Sequence, residues 1–234
     1  MNKTKIYFQR NILFKSFFYL LILETLVIQS HVFAREIKVL CTAALINNQY
    51  DMRKQEYINC LKKLSELGYQ PLVVESCVQG PTFLDDYATV FYSQTNNPLL
   101  RNKGVNEAES MFASFSHFNF QDDDMIVKLT GRYSFYSDLF LNNIKNYPDT
   151  DIFVKEFSDG QMFTGCFAIR FKHLKELLTH IDYNLMEQNM VNIERIFADY
   201  VNRCISNGIK VQKLSALDLR VNFFGTGKCE LVNY

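Results

Sequence analysis

Apolar residues along this chain fall into short continuous runs separated by longer stretches with helical spacing, the pattern of an α/β domain. Residues 36–46 (EIKVLCTAALI) read as a first buried strand. Over residues 53–67, Ile58, Leu61, Leu64 and Leu67 recur at helical spacing, and Gly68 supplies a C-cap. After Pro71, residues 72–75 (LVVE) read as a second strand that ends on Glu75. Such a β-α-β opening predicts parallel strands joined by a right-handed crossover. Residues 80–98 are rich in loop signals around the short run 88–92 (ATVFY), and the next helix carries Met111, Phe112 and Phe115.

The pattern is most pronounced over residues 121–135 (QDDDMIVKLTGRYSF). Residues 125–129 form an apolar strand with Lys128 inside it. The strand breaks at Thr130-Gly131 and delivers Arg132 and Tyr133 at its C-terminal end. A buried ammonium is costly unless an anion answers it. A glycine turn at the C-terminal end of an α/β strand is where open sheets place ligands. Together these features predict an anion site; the competing account is a structural ion pair with Glu75, Asp138 or another acid. The run Asp122–Asp124 lies at the opposite end of the strand and reads as a solvated turn rather than a metal site.

Further along, residues 138–146 predict a helix stopped by Tyr147-Pro148, and residues 152–155 predict a short strand. Residues 160–170 (GQMFTGCFAIR) give a turn, a Thr164-Gly165 break and a strand ending in Arg170. Residues 172–178 start a helix. Residues 189–201 set Ile193, Ile196, Phe197 and Val201 on one helical face, with Glu194 off that face. Residues 209–211 and 217–224 close the chain as strands. The following Gly225-Thr226-Gly227-Lys228 lacks the spacing of a P-loop.

Composition narrows the picture. At 234 residues, 48% hydrophobic, the chain holds one domain, residues 35–234, behind a leader. Its 25 basic and 25 acidic residues balance, which argues against a general nucleic-acid surface and makes any phosphate recognition local. In residues 1–34, Lys3, Lys5, Arg10 and Lys15 precede the apolar run 16–28, and Val32-Phe33-Ala34 follows. That is a secretory signal or an uncleaved anchor, with membrane association through residues 12–34; either reads as exported or membrane-anchored rather than cytoplasmic. Six cysteines show no CxxC spacing; Cys41 and Cys166 sit in strand-like runs as small buried hydrophobes. His31, His117, His173 and His180 share no ligand or triad spacing. Arg101 and Lys103, with Gly104, stand at a helix entry (RNKGVNEA) and suit a phosphate or a solvated basic turn. Glu75, at its strand end, suits a ribose or base contact or plain solvent.

The succession of RNKGVNEA, DDDMIVKLTGRY, FTGCFAIR and NIERIFADY resembles GT-A-type glycosyltransferases, and more narrowly their bacterial and viral branch with a KxxGRY-like segment. The likeness spans roughly residues 36–225. It implies a single GT-A-like (Rossmann-like) domain with a mixed, mainly parallel sheet flanked by helices, preceded by an apolar leader helix. It also implies a nucleotide-sugar donor and a glycan or lipid-linked acceptor. The substrate-binding set that follows is Lys128, Gly131, Tyr133, Arg101, Lys103, Glu75, Thr164 and Gly165. One departure matters: the DxD carboxylates that hold Mn or Mg in that family are absent, and the position reads Thr130-Gly131-Arg132. Arg132, aided by Lys128 and Lys103, is expected to neutralise the diphosphate in place of a metal. The resemblance aligns Glu194 with the acidic helix start that serves as base in inverting relatives; Asp159 is its rival. An exported, non-catalytic carbohydrate- or partner-binding domain on the same fold is the competing function.

Overall fold

The computed structural model describes residues 36–46, 50–222 and 229–232. The expected leader and the Gly225–Lys228 segment lie outside them. No helix among the described residues is long and apolar enough to cross a membrane.

The chain opens with strand β1 (Ile37–Ala43), helix α1 (Tyr50–Glu66) and strand β2 (Pro71–Glu75), the predicted β-α-β unit. β3 (Thr89–Tyr92) pairs parallel with β2, and α2 (Lys103–Ser114) leads to β4 (Met125–Thr130). β4 does not continue outward beyond β3. It returns to pair parallel with β1 on that strand's other side. β5 (Ser134–Phe135), α3 (Leu139–Asn146), β6 (Ile152–Val154), β7 (Cys166–Arg170), α4 (Phe171–Thr179), α5 (Tyr183–Gln188), α6 (Ile193–Ser206), β8 (Val211–Lys213), β9 (Leu219–Asn222) and β10 (Cys229–Val232) follow. The main sheet has the order β3-β2-β1-β4-β7-β6-β8. β7 runs antiparallel to both its neighbours, so the sheet is mixed but mainly parallel, as expected.

The sheet separates two cores because successive strand residues point to opposite faces. Val39, Cys41, Val73, Val127 and Leu129 pack with Leu61 and Leu64 of α1 and Phe140 and Ile144 of α3. Leu40, Val74, Ile126 and Ile169 pack on the other face with Val105, Ala108 and Met111 of α2, Leu174 of α4 and Phe197 and Val201 of α6. The alternation puts Thr42 of β1 and Lys128 of β4 on this second face, close in register: Leu40 pairs with Lys128 and Thr42 with Thr130. Cys41 and Cys166 are buried free thiols, and Cys60, Cys77 and Cys204 are free as well.

Several differences from the sequence reading have physical causes. The predicted 217–224 strand contributes β9 to a separate three-stranded sheet, β10-β9-β5, rather than to the main one. β5 is two residues long and α5 six, too short to show a period. The last helix starts at Ile193, not 189, because the Asn192 side chain caps it by accepting from the Arg195 N–H. The Asp122–Asp124 run is not simply solvated. Asp124 is buried, 2.8 Å from Lys38, and accepts from the Gln121 N–H, while Asp123 pairs with Arg170 at 3.2 Å.

Candidate functional site

The chain reverses its direction of travel across the sheet between β1 and β4, and this opens a crevice at the C-terminal ends of those strands. Open α/β sheets bind ligands at such a switch point. Here the crevice is a cavity of about 600 Å³. Its floor is Thr42 and Ala43 at the end of β1 and Thr130 and Arg132 at the end of β4. One wall is the start of α2, with Lys103, Gly104 and Glu107, and another is Thr164-Gly165 just before β7. Glu194, in the first turn of α6, completes the rim. Two helix N-termini therefore meet the cavity, each carrying partial positive charge.

Beneath the floor, Lys128 answers the question its position raises. It is 1% exposed, yet its Nζ lies 2.6 Å from Glu107 Oε1 and donates to Thr130 Oγ1 at 3.0 Å and to the Thr164 carbonyl at 2.7 Å. An ammonium has three N–H donors, and all three are spent. Glu107 Oε1 also accepts from the Thr42 hydroxyl at 2.9 Å. Burial alone pushes the Glu107 carboxyl up. Lys128, the Thr42 hydroxyl and the charge of Arg132 overcome that and hold it below its ordinary value. The acid partner of Lys128 is thus neither Glu75 nor Asp138. Lys128 is a structural cation and does not line the cavity, which corrects its placement among substrate ligands.

Three other expected ligands are likewise displaced from the site. Glu75 is fully buried, and its carboxylate accepts from the backbone N–H groups of Leu45 and Cys77. Burial pushes its carboxyl up, with those N–H bonds acting the other way. Its task is to close the turns after β1 and β2, so it has no oxygen to offer a ribose. Arg101 is 73% exposed and leans toward Glu187, with its backbone N–H donating to the same carboxylate at 3.0 Å. Gly131 lies under the floor: its N–H donates to the Thr42 carbonyl, and a Cβ there would come within 2.9 Å of the Tyr57 ring. The glycine serves close backbone approach rather than ligand contact. Asp159, the rival base, accepts from Gln161 in an exposed turn and is not among the lining residues.

Arg132, Lys103, Tyr133, Thr164, Gly165 and Glu194 do share the cavity. Tyr133 is stacked on Phe163, ring centroids 6.1 Å apart, to form an aromatic wall. A Cβ at Gly165 would come within 2.5 Å of both rings, so only glycine lets that wall form. Lys103 Nζ donates to the Leu100 carbonyl at 2.8 Å, and Arg132 spreads its guanidinium near the Tyr133 ring. The Thr164 hydroxyl donates to Glu194 Oε1 at 2.8 Å.

Arg53 is a lining residue that sequence reasoning missed. It is 4% exposed, and its Nη1 donates to the Ala44 carbonyl at 2.9 Å. Burial lowers its pKa; Tyr57 acts against that, and the charge of Arg132 lowers it further. Arg53, Lys103 and Arg132 thus face a cavity whose acids are Glu194 and a Glu107 already matched by Lys128. The charge of Glu56 raises the Arg53 pKa in turn, and an anion bound in the cavity would act in the same direction. Asn102 and Asn106 brace the α2 wall. Asn102 donates to the Met186 and Val191 carbonyls, and Asn106 both accepts from and donates to Asn97. A signal for Glu107 existed, since a lysine inside a strand requires an acid nearby. Nothing local singled out Arg53.

A divalent cation does not fit this donor set. Among the described residues no group of three His, Cys, Asp or Glu side chains is arranged to hold one. Glu107, a carboxylate at the strand end, already shares its Oε1 between Lys128 and Thr42.

No family model matches the chain, and no curated protein is similar to it in sequence. Solved structures are similar to it in fold. A glycosyltransferase involved in the glycosylation of the major capsid of PBCV-1 matches with a TM-score of 0.51 at 11% identity, over 78% of this chain and 84% of that one. The fold is GT-A-like. A Leptospira borgpetersenii cytidylyltransferase matches with a TM-score of 0.49 at 13% identity, over 77% and 76% of the two chains. A Desulfovibrio desulfuricans G20 protein assigned as a nucleotide-diphospho-sugar transferase matches with 0.48 at 13% identity, over 77% and 80%. At 11% identity the first of these speaks for the fold alone.

The Lys128–Glu107 pair predicts a pH signature. Because the Glu107 carboxyl is held below its ordinary 4.5, its stabilisation is complete above that value and is lost as pH falls through the lower, folded-state value. Glu107→Gln should cost roughly 3 kcal/mol at neutral pH by stranding a buried ammonium. In urea melts the gap between wild type and variant should narrow below about pH 4.5. A gap independent of pH would show that the carboxylate charge is not what matters.

Proposed function

We propose that the chain is a glycosyltransferase that moves a sugar from a nucleotide-diphosphate donor to a glycan or lipid-linked acceptor. The observation that carries this reading is the cavity at the β1/β4 switch point, which brings Arg132, Lys103 and Arg53 together with Glu194. The GT-A-like fold supports it, and so does a volume within the range of small-molecule sites.

In this reading Glu194 takes the proton of the acceptor hydroxyl as its oxygen bonds to the anomeric carbon. The bond from that carbon to the diphosphate oxygen breaks, and the electron pair leaves with the nucleoside diphosphate. Arg132 receives the growing charge through its guanidinium, aided by Lys103. Lys128 contributes at one remove, by cancelling Glu107 so that the strand end does not repel the leaving group. Tyr133 and Phe163 offer an apolar face to the sugar or base. Residues 1–34 would carry the domain along an export route or hold it at a membrane, where a lipid-linked acceptor is met.

Two measurements test the proposal. Thermal shift with UDP, GDP and CMP should show stabilisation by at least one nucleotide without added Mn²⁺, about 2.7 kcal/mol at a hundredfold excess over Kd. A shift that appears only with Mn²⁺ would contradict the arginine-for-metal assignment. No shift with any nucleotide would favour a non-catalytic binding domain. With a donor in hand, Arg132→Ala should keep the fold and lose about 10²–10³ in turnover. Near-normal turnover would remove Arg132 from the mechanism.

A further inference from the structure

Thr164 lies at the junction between the buried ion pair and the cavity. It is 6% exposed and held at both ends. Its carbonyl accepts from Lys128 Nζ at 2.7 Å, and its hydroxyl donates to Glu194 Oε1 at 2.8 Å. Lys128 in turn is fixed by Glu107 and Thr130, and Glu107 by Thr42. A hydrogen-bonded chain therefore runs from β1 through α2 and β4 to the residue before Gly165, and ends on one oxygen of the Glu194 carboxylate. The backbone at Glu194 is tied to the same segment, since its carbonyl accepts from the Met162 N–H.

A glutamate in the first turn of a helix has several rotamers open to it, and proton transfer needs the carboxylate at a set distance from the acceptor hydroxyl. Thr164 has a single O–H to donate, and Glu194 receives it. We infer that Thr164 is a positioning residue: it holds Glu194 Oε1 so that the other carboxylate oxygen is presented to the acceptor. This rests on the transferase reading and assigns Thr164 a role distinct from direct contact with substrate. A direct ligand would contribute to the affinity of donor or acceptor. A positioning residue contributes to turnover and acts only through Glu194.

The test is steady-state kinetics on the full chain with Thr164→Val, Thr164→Ala, Thr164→Ser, Glu194→Gln and the Thr164→Val/Glu194→Gln double variant, alongside nucleotide thermal shifts. Valine keeps the shape and alanine adds no bulk, so one of the two serves if the other misfolds. The expected result is a kcat lowered about 10- to 100-fold with KM for donor and acceptor unchanged, the value of one hydrogen bond to a charged group. Serine should restore most of the loss, and the double variant should be no slower than Glu194→Gln alone. An unchanged kcat, a loss confined to KM, or additive losses in the double variant would overturn the inference, even with Glu194→Gln slowed as a base variant should be and the transferase reading intact. If wild type binds no nucleotide and transfers no sugar, the transferase reading fails and this inference goes with it.

Discussion

The constraint on which the structure depends is an ammonium placed in the middle of the central strand. Lys128 occupies a position that an apolar residue would fill at no cost, and an unpaired charge there would destabilise the fold by several kcal/mol. Glu107 supplies the opposite charge from α2, Thr130 and Thr164 satisfy the remaining donors, and Thr42 steadies the carboxylate. These contacts fix where α2 and the β7 entry sit relative to β1 and β4. Satisfied in this way, the pair rigidifies its surroundings, whereas a partly satisfied one would weaken them.

The same pair sets the electrostatics of the cavity above it. Without Lys128, Glu107 would bring a negative charge to the strand end and oppose any phosphate there. With it, Arg53, Lys103 and Arg132 line the cavity opposite Glu194. In the proposed reading, that division of labour lets a strand end lacking paired carboxylates take a diphosphate. One buried cation neutralises the local acid. The aromatic pair Tyr133 and Phe163, made possible by Gly165, gives the cavity an apolar side.

Much of the fold is legible from local pattern. The runs at residues 36–46, 72–75 and 125–129 are strands because continuous apolar stretches of that length are buried on both faces. The Thr130-Gly131 and Thr164-Gly165 breaks mark the sheet edge where the cavity opens, which is why Arg132, Tyr133 and Thr164 were readable as neighbours of one site. The partners of buried polar groups were not readable. Thr42 and Glu107 stand 65 residues apart, and Thr164 lies 36 from Lys128. Only the return of β4 to the flank of β1 brings them together. Glu75 shows the opposite error. A carboxylate at a strand end looks like a ligand, but its oxygens are consumed by backbone N–H groups of two turns whose approach no local pattern reveals.

Lys128 and Glu107 stabilise the fold as a pair and not as separate side chains. A double-mutant cycle with Lys128→Met, Glu107→Leu and the combined variant, read by urea denaturation at neutral pH, tests it most directly. Each single change should cost about 3–5 kcal/mol, and the double should cost less than their sum by about 2–3 kcal/mol. Losses that add to within about 0.5 kcal/mol would show that the two side chains act independently.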